Sequence, residues 1–266
     1  MKNRLCRVFF PLIFLGTGFI FLFVISGCTP LKPQTDPTLD KKASLLAKGT
    51  RSLNQDILSS KGTGWVEVTT HQITTHPRKD KFKLAWAAQA PNRLRITLLM
   101  SGHPVETIVA TGEHVTFISH TGEHPPHTTL SSDPDLERFI QVPMKLSALI
   151  SLLLGRIPLE DFDNAWFEPN KNTLPPVILT QNFKSTRQQL YVDEHNQVQR
   201  LVSLKKDNTP LYDIIYIDYQ THGQSRIPAT LLIQDVAGRQ ILLSLIRFIA
   251  NPPIKESVFR LTESGS

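Results

Sequence analysis

The sequence predicts an α+β fold: a single strongly curved antiparallel β-sheet, forming a half-open barrel of about 11 strands, with a helical lid. Three observations carry this prediction. From Thr63 onward apolar residues recur at period two, the pattern of half-buried strands. Short turns such as Ser101-Gly102, Thr111-Gly112 and Thr121-Gly122 join those runs. Helical spacing replaces the alternation only in a leading segment and once at mid-chain, too little helix for a second domain.

Residues 1–27 begin with a basic stub (Lys2, Arg4, Arg7), continue in an almost uninterrupted apolar run over 8–25, and end in Ser26-Gly27 ahead of Cys28. That is the layout of a secretory signal peptide, which takes no part in the fold. Val24-Ile25-Ser26-Gly27-Cys28 resembles a bacterial lipobox, which implies cleavage before Cys28 and a diacylglycerol on its sulfur. An uncleaved anchor is the alternative, since a run of about 18 apolar residues just spans a bilayer; glycine then cysteine at the end of the run favours the lipobox. Several acyl chains on one cysteine anchor a protein stably where a single chain is marginal. Residues 28–40 hold Pro30, Pro33 and Pro37 without apolar periodicity, so they read as the lipidated Cys28 and a flexible tether, and 41–266 as the folded domain.

This division reinterprets the composition. The chain carries 29 Lys+Arg against 23 Asp+Glu (29 − 23 = +6), but three of the basic residues leave with the signal peptide, giving 26 − 23 = +3. Half of the basic excess is a targeting signal, and a nucleic-acid partner is not expected. A 40% hydrophobic content excludes a disordered chain, and two cysteines exclude a disulfide scaffold: Cys6 is discarded and Cys28 is the anchor.

Within the domain, Leu46, Leu53 and Ile57 are spaced seven and four apart, predicting an amphipathic helix over 41–59 with Gly62 just beyond. Phe82, Leu84 and Trp86, then Leu94, Ile96 and Leu98, then Val115 and Phe117 alternate with polar or small neighbours as strands. Asp133-Pro134 opens a short helical patch, and 146–154 forms a second, strongly apolar helix ended by Gly155; 158–166 is irregular. Strands resume over 177–181, 188–192, 198–205, 211–219, 227–234, 240–248 and 258–261. The run Leu211-Tyr212-Asp213-Ile214-Ile215-Tyr216-Ile217 is apolar on both faces, so both faces must meet lid helices or a ligand.

In order and spacing, these segments resemble the LolB family of outer-membrane lipoprotein receptors, within the wider LolA/LolB-like fold. The resemblance runs from Cys28 through Ser60-Lys61-Gly62-Thr63-Gly64, Pro91-Asn92-Arg93-Leu94-Arg95-Ile96 and Leu98-Leu99-Met100-Ser101-Gly102. It continues through Val142-Pro143-Met144-Lys145-Leu146, Leu152-Leu153-Leu154-Gly155-Arg156-Ile157-Pro158 and the hairpins around Tyr216-Ile217-Asp218-Tyr219, Ile227-Pro228-Ala229 and Gly238-Arg239-Gln240. A histidine-rich turn over 120–127 and a C-terminal strand over 258–261 depart from the pattern. The resemblance implies a monomeric, outer-membrane-anchored protein facing the periplasm. It would take the acyl chains of lipoproteins from a soluble periplasmic LolA-like carrier into an apolar cavity and transfer them to the membrane. Thr29 after the modified Cys28, rather than aspartate, resembles outer-membrane sorting.

The candidate residues follow from both readings. Trp65, Phe82, Leu84, Trp86, Ile96, Phe117, Leu149, Leu153, Ile215, Tyr216 and Ile217 are candidates for the cavity wall or lid, with plain core packing as the alternative for each. Leu99 and Met100 form a membrane-contact loop before the Ser101-Gly102 turn, or else the end of a core strand. Arg93 and Arg95 share a strand face, and the resemblance gives them a structural role at the barrel mouth. His120, His124 and His127 could be drawn as a metal loop, but thiolates are missing and a solvated hairpin tip is expected, so no metal or other cofactor is assigned. Glu160-Asp161-Phe162-Asp163 reads as acids capping a helix. There is no Gly-x-Ser-x-Gly elbow, His-Glu-x-x-His pair or glycine-rich phosphate loop, so no catalytic residue and no nucleotide are expected. Binding of another amphiphile, such as a glycolipid, and a structural role in envelope assembly are the competing functions.

Overall fold

The alternating segments build thirteen strands: β1 (Ser59–Thr70), β2 (Arg78–Gln89), β3 (Arg93–Met100), β4 (His103–Thr111), β5 (Val115–Ser119), β6 (His127–Thr129), β7 (Asn164–Phe167), β8 (Val177–Thr180), β9 (Thr186–Val192), β10 (Val198–Lys205), β11 (Pro210–His222), β12 (Ser225–Asp235) and β13 (Gln240–Ala250). Among the described residues three α-helices accompany them: α1 (Pro37–Ser52), α2 (Glu137–Ile140) and α3 (Leu146–Leu153). The computed structural model describes residues 36–70, 78–168, 175–181 and 186–261. The expected signal peptide, Cys28 and the expected tether as far as residue 35 lie outside the described residues. Thr35–Ser266 is one compact unit, and every residue of the core cluster lies between Ala43 and Phe248.

All thirteen strands join one antiparallel sheet in the order β6-β5-β4-β3-β2-β1-β13-β12-β11-β10-β9-β8-β7. The sheet is not closed: β6 and β7 are its two edges. First and last strands meet at the centre, and the mid-chain segment carrying α2 and α3 leads from one edge to the other. That connection crosses the concave face of the sheet, which is why a helical insertion becomes a lid.

Four differences from the sequence expectation have physical causes. The strand count among the described residues is thirteen, not about eleven, because β6 and β7 have only three and four residues, too few to show a period. The expected strand over 258–261 is instead a 3-10 turn over Glu256–Phe259, set off from β13 by Pro252 and Pro253 and closed by buried Phe259. The leading helix runs over Pro37–Ser52 instead of 41–59. Asp36 accepts a hydrogen bond from the Thr38 amide at 2.8 Å, and Pro37 occupies the first turn, where its missing N–H costs nothing. Asn54, at φ 56°, then turns the chain into β1, so Leu53 and Ile57 fall beyond the helix, and Ala43, Ala47 and Thr50 form its buried stripe. Gly62 lies inside β1, where the Trp86 ring occupies the place a Cβ would need. Finally, Asp133 opens no helix of its own: its carboxylate receives the Ser147 amide and hydroxyl at 2.8 and 3.1 Å and caps α3.

The two lid helices are held differently. The Trp86 indole N–H donates to the Ser60 hydroxyl at 3.0 Å, and that hydroxyl donates to the Leu153 carbonyl at 2.6 Å, tying the end of α3 to the centre of the sheet. Beyond α3, Gly155 sits at φ 73° against Ile227, and the Arg156 guanidinium donates to the carbonyls of Asn54, Gln55 and Ile57. Burial lowers the Arg156 pKa, with partial compensation from Asp56. By contrast, α2 has no fully buried residue. It rests on the sheet through Phe139, stacked face to face on Phe117.

Candidate functional site

Between the concave face and α2–α3 lies a cavity of about 600 Å³, within the ~300–1,000 Å³ typical of small-ligand sites. β1 to β5, β12 and β13 supply its walls, α2 and α3 its cover; β7 to β11 contribute no lining residue. Alternation explains the apolar interior: on each of these strands every second side chain points inward, so Phe82 and Leu84 on β2 stand beside Ile96 and Leu98 on β3.

Of the predicted wall residues, Phe82, Leu84, Ile96, Phe117, Leu149 and Leu153 meet around this cavity. Five candidates do not line it. Trp86 and Tyr216 are buried in the core: Trp86 is bound to Ser60, and Tyr216 has no hydrogen-bond partner for its hydroxyl among the described residues. Trp65 is 40% exposed on the opposite face, with the Lys81 ammonium over its ring. Its parity is that of Glu67, whereas Val66 and Val68 point into the cavity. Ile215 and Ile217 also leave the cavity side, which Ile214 and Tyr216 occupy; Ile215 is half-buried and Ile217 is exposed. The expectation that both faces of this run are covered therefore fails at Ile217. Residues not singled out from sequence, Val68, Ile108, Ile233, Ile241 and Leu243, complete the wall. Their alternation was visible, but nothing in it marked which part of the sheet is open.

The rim is polar. His124 Nε2 lies 3.2 Å from a Glu106 oxygen, and His127 packs on Phe139 with Arg138 beside it at 3.4 Å. Arg239 donates to Asp235 at 2.7 Å and reaches Gln141 at 3.4 Å. His120 turns away to Thr107 at 2.9 Å. Each imidazole of the histidine-rich turn thus has a separate partner. An apolar interior behind a ring of carboxylates, guanidinium groups and imidazoles suits an amphiphile, with tails inside and a polar portion at the mouth.

Leu99 and Met100 end β3 at the two-residue turn Ser101-Gly102. Leu98 and its cross-strand partner Glu106 line the cavity, so this hairpin tip continues directly from the cavity edge; Met100 is 47% exposed. Arg93 and Arg95 are on the outer face, away from the mouth. Arg95 donates to the carbonyls of Val258 and Arg260, both at 3.3 Å, and holds the C-terminal turn. The carboxylates of 160–163 cap no helix: Glu160 accepts from Thr186, and Asp161 pairs with Arg51 on α1. A second, smaller depression of about 280 Å³ lies beyond α3, between Ser151, Thr186 and Tyr212.

Neither a protein-family model nor a curated protein matches the sequence. Solved structures do match in fold. The chain is similar to a DUF1329 family protein from Desulfovibrio piger, with a TM-score of 0.60 and 9% identity over 85% of this chain and 98% of that one. It is similar to a LolA superfamily protein from Nitrosomonas europaea (TM-score 0.55, 11% identity, 82% and 97% covered). It is also similar to a putative outer membrane lipoprotein-sorting protein domain from Vibrio parahaemolyticus (TM-score 0.51, 10% identity, 83% and 97% covered). These likenesses establish a LolA-like fold, a broader grouping than the LolB family that the sequence motifs resemble.

Proposed function

We propose that this chain is an outer-membrane lipoprotein of the LolB type, anchored through Cys28 and facing the periplasm. As a monomer it receives the acyl chains of lipoproteins from a soluble LolA-like carrier and releases them into the outer membrane. The observation that carries the proposal is the cavity of about 600 Å³, apolar within and polar at its rim. An acyl chain of about 16 carbons gains on the order of 12 kcal/mol when withdrawn from water, at ~0.8 kcal/mol per methylene. A carrier cavity, this cavity and the bilayer can therefore be ranked by affinity, and transfer runs downhill with no catalytic group, metal or nucleotide. The likeness to a LolA superfamily protein and a lipoprotein-sorting domain supports the same reading.

The chain's residues divide the work. Phe82, Ile108, Ile241 and their neighbours shelter the tails, while α2, held chiefly by the Phe117–Phe139 stack, is the part of the cover that yields at entry. Mass spectrometry of organic extracts from the protein purified out of membranes tests the proposal. Acylated protein in the extract is expected. Free glycolipid alone would replace lipoprotein cargo with another amphiphile, and no lipid beside a stable protein partner would make the sheet a structural platform.

A further inference from the structure

The face of the sheet turned away from the cavity carries its own pattern. Cross-strand partners place Leu99, Lys83, Trp65, Ser244, Thr230 and Asp218 in one row from β3 to β11, five inter-strand steps or roughly 24 Å long. Of the β-bulges that interrupt the pairing beside this row, two leave an isoleucine unpaired. On β13 the partners of Gly64 and Thr63 are Leu245 and Arg247, leaving Ile246 unpaired; on β11 the partners of Leu231 and Thr230 are Tyr216 and Asp218, leaving Ile217 unpaired. Each of these two presents an isoleucine that is 56% exposed. Bulges re-aim side chains, and two of them aim isoleucine at solvent. Among the described residues, exposed Lys83 and Arg247 pair with no carboxylate, while Lys81 bonds Glu67 at 2.7 Å and covers the Trp65 ring. Asp218 is the acidic end of the row, its carboxylate accepting from the Tyr219 amide.

We infer that this outer face is a docking surface for an anionic phospholipid bilayer. The composition is that of an interfacial surface: a tryptophan, aliphatic tips and unpaired cations. The arrangement favours a bilayer over a protein partner. Protein hot spots cluster in a desolvated centre, whereas Trp65, Ile246 and Ile217 stand separately, roughly 7 to 14 Å apart along and across strands, each free to dip between headgroups. The outer side of a curled sheet touches a plane along a strip, and the row runs into Leu99 at the β3–β4 hairpin tip. Docking would therefore lay the cavity's edge on the membrane. The inference stands on the opposite face from the cavity and does not depend on what the cavity holds.

The test uses residues 35–266, which retain the whole core and lack Cys28, floated with vesicles of phosphatidylcholine alone or mixed with phosphatidylglycerol. Binding to the anionic vesicles only, weakening as salt is added, is expected. Each cationic charge removed should weaken it about fivefold, and Lys83→Glu with Arg247→Glu should abolish it. Trp65→Ala should weaken it, and the Trp65 emission should shift to the blue on docking. Filling the cavity with Ile108→Trp should leave flotation unchanged, which separates this surface from the acyl-chain site. Equal binding to both vesicle types, an unaffected double charge reversal, or no vesicle binding beside capture of an acidic protein would each overturn the inference.

Discussion

One row of inward-facing residues crosses the sheet and separates two kinds of interior. Cross-strand pairing aligns Val68, Ile241, Ile233, Ile214, Leu201, Leu190 and Val177 from β1 to β8. The first three line the cavity; the last four are completely buried in the core. Nothing in the residue types marks the boundary, which falls between β12 and β11. The cover makes the difference. Over β7 and β8 lies α1, whose Ala43 and Ala47 allow close approach, and the chain around Leu154 and Ile157 completes that filling. Over the other half the cover is thin, since α2 has four residues, of which Arg138, Phe139 and Ile140 face the cavity, and α3 adds Leu149 and Leu153. A LolA-like sheet thus uses one pattern twice, once to pack and once to leave room.

Truncation should split the row most sharply. Leu201→Ala should cost about 2–5 kcal/mol, because the surrounding packed residues cannot collapse into the hole. Ile241→Ala, on a wall that already faces open space, should cost less than ~1 kcal/mol, having few contacts to lose on that side. Urea denaturation of both variants measures this, and equal losses would break the comparison. Enlargement reverses the order. Leu190→Phe should destabilise by about 1–3 kcal/mol through overpacking, whereas Ile108→Trp should leave the thermal midpoint unchanged and abolish displacement of a fluorescent fatty acid from the cavity.

Alkaline pH gives a smaller but independent contrast, because all four tyrosines, Tyr191, Tyr212, Tyr216 and Tyr219, lie on β9 and β11 in the filled half. Burial raises the pKa of each. In Tyr212 the charges of Glu160 and Asp135 add to that effect and a hydrogen bond with Ser203 opposes it; Arg226 opposes it in Tyr219. With folded values above the unfolded value of ~10, the unfolded chain releases its protons first. Stability should therefore hold below about pH 10 and fall above it, with Tyr216 contributing up to ~1.4 kcal/mol per pH unit. Tyr216→Phe should reduce that slope by one proton. It should also leave stability at neutral pH unchanged or slightly higher, since the lost hydroxyl is buried without a partner among the described residues. Denaturant midpoints measured on both sides of pH 10 decide it.

The sheet was legible in the sequence because alternation reports which side chains share a face, and the β10 boundaries agree residue for residue. Short edge strands such as β6 were hidden because three residues carry no period. The start of α1 was legible in principle: Asp36-Pro37 is a helix-start signal, but two earlier prolines made it resemble a tether. Trp65 was misplaced although its parity with Glu67 already turned it outward. The cavity's extent was beyond the pattern altogether, because Ile233 and Ile214 are equally apolar partners and only the length of the cover above them differs.

The smallest effect on stability should come from the hairpin tip, where the consequence for function is large. Met100 is half exposed beyond the last residue of β3 that lines the cavity, so Met100→Glu removes little buried surface. A change within about 0.5 kcal/mol is expected, as for other surface substitutions. The same carboxylate would have to enter a bilayer if the tip guides cargo outward, and it would face anionic headgroups on approach. Cells carrying only Met100→Glu should therefore hold normal amounts of folded protein yet fail to insert lipoproteins into the outer membrane. Matched melting curves and fractionated membranes measure the two quantities on the same variant. Normal insertion would restrict the tip to closing a hairpin, and the open half of the sheet would then have to release its cargo past α2 alone.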